Sequence, residues 1–119
     1  MLSVKKLLTK ILGRLNAVVN NVTPTNVQNG SFSACRVVTM GSIANIYINF
    51  KTSVAMPAET TNYTIGVLPA DYRPLQIANL SSSDVIGQIN GNGAIVIRPQ
   101  VAKAANSNIY ISGVYLISA

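Results

Sequence analysis

The sequence predicts a mainly β protein, an antiparallel β-sandwich or small barrel preceded by a short N-terminal α-helix. Three observations carry this. Residues 32–119 break into about seven short apolar runs separated by turn formers, the pattern of a small all-β domain. Within them, Ala44, Ile46, Ile48 and Phe50 alternate with Asn45, Tyr47, Asn49 and Lys51, the period-2 signature of a half-buried strand. Before residue 22 the period changes: Val4, Leu8, Ile11, Leu15 and Val18 recur at spacings of 4, 3, 4 and 3, which is helical. The chain of 119 residues thus divides into an oligomerising helix over 1–22, a linker over 23–31 and a β-head over 32–119.

Ser3 is placed to cap a helix beginning near Val4. With Leu8 and Leu15 at a positions, Val4, Ile11 and Val18 fall at d, and Leu7, Leu12 and Val19 widen the seam at g and e. Leu at a with a β-branched residue at d favours more than two strands, which suits a trimer or a larger bundle. A helix this short is marginal alone and contains Gly13, which costs about 1 kcal/mol of helix propensity. It therefore needs a surface to pack on: sister helices, its own β-domain, or an anionic membrane facing its basic side. The segment from Asn20 to Ser31 is rich in Asn, Thr, Pro and Gly, which end the helix.

Further strands are expected near 34–40, 62–68, 75–80, 84–90, 93–98 and 107–118. Asn90-Gly91-Asn92-Gly93 between two apolar runs is a hairpin signal, since Asn and Gly tolerate the positive φ of tight turns. The last strand sets Ile109, Ile111, Tyr115 and Ile117 against Tyr110, Ser112, Val114 and Leu116. Both faces are apolar, which places it centrally in its sheet or under another subunit. Gly113 marks a bulge or a close backbone approach.

Composition narrows the function. Only 10% of residues are charged, against roughly a quarter in average domains, so Asn, Ser, Thr and Gln supply much of the polar surface. The net charge of +6 is concentrated in Lys5, Lys6, Lys10 and Arg14, while the bases of the β-region are scattered among Glu59, Asp71 and Asp84. Phosphate-backbone binding needs clustered bases, so no nucleic-acid partner is expected. No apolar run reaches the ~20 residues of a membrane span, and Lys10 and Arg14 interrupt what would be the apolar core of a secretory signal.

The chemistry-bearing residues are sparse. Histidine is absent, which removes the commonest general base and metal ligand. Cys35 is the sole cysteine and reads as a buried structural thiol. Asp71 and Asp84 could pair as carboxylates, but each sits in turn-forming sequence where Asp is ordinary. No phosphate-binding loop, nucleophile elbow or zinc spacing occurs, so no catalytic residue, metal or cofactor is expected, and the chain reads as a non-enzyme. The candidate ligand surface is Tyr47 flanked by Asn45 and Asn49, an aromatic ring between amides that suits a glycan.

Three segments then carry a resemblance. Tyr63-Thr-Ile-Gly-Val-Leu-Pro-Ala-Asp-Tyr72-Arg73-Pro74, the run from Val85 to Ile97 with its Gly-containing hairpin, and Asn108-Ile-Tyr-Ile-Ser-Gly-Val-Tyr115 follow one another in an order that resembles the C-terminal head domains of bacteriophage tail-fibre and receptor-binding proteins. The resemblance spans roughly residues 36–119. It implies a jelly-roll-like β-sandwich head, assembled as a homotrimer in a phage virion, or left in the bacterial cytoplasm when a prophage product is unassembled. It also implies binding to bacterial surface carbohydrate, with other virion proteins as further partners. Arg73, before Pro74, is expected to order a turn or a subunit contact. A structural or assembly role in the virion without a glycan site, and a membrane-surface role for the basic helix, are the alternative expectations.

Overall fold

The structure, a computed structural model, describes Val4, residues 17–59 and residues 61–117. Its strands are β1 (Val18–Asn21), β2 (Gly30–Met40), β3 (Ile43–Thr52), β4 (Tyr63–Val67), β5 (Ala78–Ser81), β6 (Val85–Ile89), β7 (Ala94–Pro99) and β8 (Asn108–Leu116), with one 3-10 turn at Ala70–Tyr72. All strand pairs are antiparallel. They form a single sheet in the order β1-β2-β3-β8-β5-β6-β7-β4.

Period-2 patterning decides which side of each strand is buried. In β3, Ala44, Ile46, Ile48 and Phe50 are buried, while Tyr47 and Lys51 face solvent and Asn45 and Asn49 are half-buried. In β8, Ile109, Ile111 and Tyr115 point inward, and Tyr110, Ser112, Val114 and Leu116 point out. Strand β8 lies between β3 and β5, one of the two placements expected of it, with Val114 and Leu116 still exposed.

Two irregularities rescue residues that simple alternation would misplace. Phe32 and Cys35 are three apart and would face opposite sides of a regular strand. A bulge between Phe32 and Ala34 shifts the register, so Phe32 stands opposite Phe50 and Cys35 opposite Ile48. The Phe32 and Phe50 rings meet edge to face, with centroids 5.0 Å apart and planes at 69°, a geometry worth about 0.5–1.5 kcal/mol beyond area burial. A second bulge, between Thr64 and Gly66, lets β4 turn both Ile65 and Gly66 inward.

The sheet consists of two four-stranded halves, β1-β2-β3-β8 and β5-β6-β7-β4, joined by one residue pair, Ser81 with Ser112. Gly113 permits the join. A Cβ there would lie 2.6 Å from the backbone oxygen of Asn79 and 2.6 Å from the Leu80 side chain. The halves fold over a single core in which Ile46 and Phe50 from one meet Ile89, Ile95 and Ile97 from the other, and all five are fully buried. Each such side chain contributes about 1.5–3 kcal/mol of burial.

The crossover from β1 to β2 brings the ends of the curled sheet together. Thr25 and Val67 exchange backbone hydrogen bonds of 2.9 and 2.8 Å, Gln28 N donates to Ile65 O at 3.1 Å, and Asn29 Nδ2 donates to Thr64 O at 3.0 Å. The outer edge of β4 is thus covered by residues 25–29 and not left open to another chain.

The mainly β, antiparallel architecture is therefore as expected, and the described strands belong to one curled sheet without a second hydrogen-bonded layer. The amino-terminal boundary differs from the sequence reading. Val18, expected at a helical d position, and Val19 lie in β1, opposite Thr39 and Val38. Two β-branched residues favour a strand, Asn20 and Asn21 disfavour continuing a helix, and Asn20 Nδ2 donates to Val37 O at 3.1 Å. Thr25, within the expected linker, is bridged to β4, and β2 begins at Gly30, two residues before the expected head boundary. Of the other proposed seam positions Val4 is exposed, while Leu8, Ile11 and Leu15 lie outside the described residues.

Gly113→Ala is expected to destabilise the domain by about 1–3 kcal/mol, the usual cost of overpacking, seen as a lower urea midpoint. Gly91→Ala, whose Cβ would meet nothing within 4 Å, serves as the control and should leave the midpoint in place. Equal midpoints for the two variants would show that the join between the halves is not tight.

Candidate functional site

Register places the candidate residues on the outer face of the first half. Tyr47 of β3 stands between Arg36 of β2 and Ser112 of β8. Asn49, two residues along, stands between Ala34 and Tyr110. Tyr47 and Tyr110 are therefore diagonal neighbours on adjacent strands, a relation of roughly 7–8 Å. Tyr47 is 54% exposed and Tyr110 61%. The two rings flank a shallow groove of about 400 Å³, lined also by Arg36, Asn49, Ser81 and Ser112.

The groove brings together Tyr47 and Asn49, two of the three expected ligand residues, and leaves out the third. Asn45 is on the same face but sits between Val38 and Val114, on the apolar side of the Tyr47 row. Tyr110, Arg36 and Ser112 were not among the expected site residues. The alternation of β8 turned Tyr110 and Ser112 outward, but nothing in sequence spacing sets the register of β8 against β3. Asn49 adds a polar irregularity: its Oδ1 is buried and accepts no hydrogen bond among the described residues. An acceptor left in that state costs about 1–3 kcal/mol relative to a paired one.

Beyond the groove the outer face turns apolar. Met40, Ile43 and Leu116 form one cross-strand row, and Val19, Val38, Asn45 and Val114 another. Met40, Ile43, Val19, Val114 and Leu116 are all exposed, and Leu75 and Ile77 continue the patch beside Leu116.

The segment Leu68–Pro74 is a structural corner. Leu68 N donates to Gly93 O at 2.8 Å, and Arg73 Nε donates to Leu68 O at 3.0 Å. Gly93, at φ +89°, lets the Arg73 side chain lie against the hairpin backbone, where a Cβ would come within 2.7 Å of Nε. From the core, Tyr115 Oη donates to Tyr72 O at 2.8 Å. Burial, with a smaller contribution from nearby Cys35, pushes the Tyr115 phenol well above its usual range, so it remains a donor. Burial likewise pushes the Cys35 thiol up to about 12, which leaves it protonated and unreactive at neutral pH.

The carboxylates do not converge on the groove. Asp71 lies in the 3-10 turn, and Asp84 precedes β6, where its Oδ2 accepts from Lys103 Nζ. Lys103 in turn exchanges two 2.8 Å backbone hydrogen bonds with buried Met56, so the loop after β7 is tied by the ion pair to the turn before β6 and by these bonds to the loop after β3. The Lys103 hydrogen bond holds the Asp84 carboxyl below its ordinary value, against a smaller upward push from desolvation. A carboxyl lowered on folding stabilises the fold above its ordinary value, and that stability is lost as pH falls through the lowered one. Melting temperature should therefore fall on acidification through the carboxylate range, and Asp84→Asn should flatten that fall. An unchanged pH profile in the variant would contradict the assignment.

No protein-family profile matches this chain, and no curated protein matches its sequence.

Proposed function

We propose that this chain is the trimeric head of a phage or prophage tail-fibre or receptor-binding protein, and that it binds bacterial surface carbohydrate through the Tyr47–Tyr110 groove. The observation that carries the reading is the pairing of two exposed tyrosines on adjacent strands, beside Asn49, Ser112 and Arg36. Aromatic faces stack on the apolar side of a sugar ring, while amide, hydroxyl and guanidinium groups meet its hydroxyls. The resemblance of residues 36–119 to phage head domains points the same way, as does a groove without a carboxylate among its described lining.

The apolar end of the same face supports the trimer. Met40, Ile43, Val114 and Leu116 are side chains a subunit contact would cover. That patch also favours the second reading, a virion structural or assembly protein that uses the face only for subunit contacts.

Light scattering of the full chain should report a trimer, and a glycan array should report binding. Tyr47→Ala and Tyr110→Ala should each weaken that binding roughly tenfold, about 1.4 kcal/mol, without changing the melting temperature. A trimer that binds no glycan would select the assembly reading. A monomer at high concentration would sink both.

A further inference from the structure

The row that holds Tyr47 runs past the groove and across the join between the two halves. Arg36, Tyr47, Ser112, Ser81, Ile86 and Arg98 are successive cross-strand partners from β2 to β7. All six face solvent. Five inter-strand steps give a path of about 24 Å along the curled surface. A second groove, of about 450 Å³, lies over this far part and is lined by Asn79, Ser81, Ile86, Gln88 and Arg98 among others. The two grooves share Ser81, so they adjoin at that residue.

The electrostatics of the path are one-sided. Arg36 stands near one end and Arg98 at the other, and no carboxylate is among the described lining of either groove. The Arg36 guanidinium makes no hydrogen bond or ion pair among the described residues. Arg98 donates from Nη2 to Glu59 O at 2.8 Å, and the rest of its planar fork makes no hydrogen bond or ion pair among the described residues. An arginine fork is shaped for a carboxylate or phosphate.

We infer that this surface takes a linear acidic glycan, laid across the strands from Arg36 to Arg98, with its acidic groups at the two arginines and its rings on Tyr47, Tyr110 and Ile86. The inference rests on the carbohydrate reading above and adds the length and charge of the ligand. Five strand spacings separate the arginines, so one sugar cannot reach both. From Arg36 to Ile86 every residue of the row is paired on both sides, so an extended peptide has no free backbone edge to join along that stretch. Two separated arginines do not make the clustered basic track that a nucleic-acid strand needs.

The test is calorimetric titration of the full chain with uronic-acid-containing oligosaccharides from disaccharide to octasaccharide. A carboxyl-reduced octasaccharide and an oligouridylate of similar length complete the set of probes. The octasaccharide should bind at least about tenfold more tightly than the disaccharide. Carboxyl reduction, Arg36→Gln and Arg98→Gln should each weaken it roughly tenfold, with melting temperatures unchanged. Equal affinity for disaccharide and octasaccharide, or for the acidic and reduced chains, would overturn this inference while leaving the glycan reading in place. Binding to none of the sugars would overturn both. Tighter binding of the oligouridylate would replace the glycan with a nucleic acid.

Discussion

The contact on which the rest of this structure depends is the single pairing of Ser81 with Ser112. It is the only ladder position at which β5 itself meets β8, and with the Leu75 N to Leu116 O bond of 3.0 Å before β5 it makes the two four-stranded halves one sheet. The approach is close enough that a methyl group at Gly113 would strike the Asn79 carbonyl oxygen. A glycine inside a strand costs roughly 0.5–1 kcal/mol in backbone entropy. The cost is offset by the burial it allows, since Leu80 and Ile46 reach the same core only when the halves close. The crossover over residues 25–29 then covers the β4 edge, so the sheet curls with one end protected.

The same join determines what the outer face can do. Were the halves to part at Ser112, the row from Arg36 would end there, and the groove beside Tyr47 would lose Ser81 from its lining. Closed, the face carries two chemistries side by side. The row through Tyr47 is polar and aromatic, and the rows through Val114 and Leu116 are apolar. Because one face of a strand repeats every second residue, these surfaces are immediate neighbours. The proposed ligand row and the proposed subunit contact would therefore share one sheet without a separate domain for each.

Much of the fold was legible because burial follows period-2 alternation. The strands β3, β6, β7 and β8, the Asn90–Gly93 hairpin and the close approach at Gly113 are all visible as local pattern. What escaped depends on irregular or long-range features. The bulge at Phe32–Ala34 broke the alternation, so the start of β2 looked like linker. Val18 and Val19 continued a helical spacing in sequence, yet pair with β2, since their β-branched side chains suit a strand and the following asparagines disfavour a helix. The candidate site was half legible. Tyr47 and Asn49 could be found from one strand alone. Tyr110 and Arg36 belong to the site only through the register of three strands, and Arg98 only through that of six.

The central claim is that the surface on either side of the Ser81–Ser112 join binds as one unit, and amide chemical-shift mapping tests it most directly. Titration of the labelled chain with an acidic octasaccharide should shift the amides of Tyr47 and Ser112 on one side, and of Ile86 and Arg98 on the other, with a single binding isotherm. Shifts confined to one side of the join, or centred on Val114 and Leu116, would contradict the account.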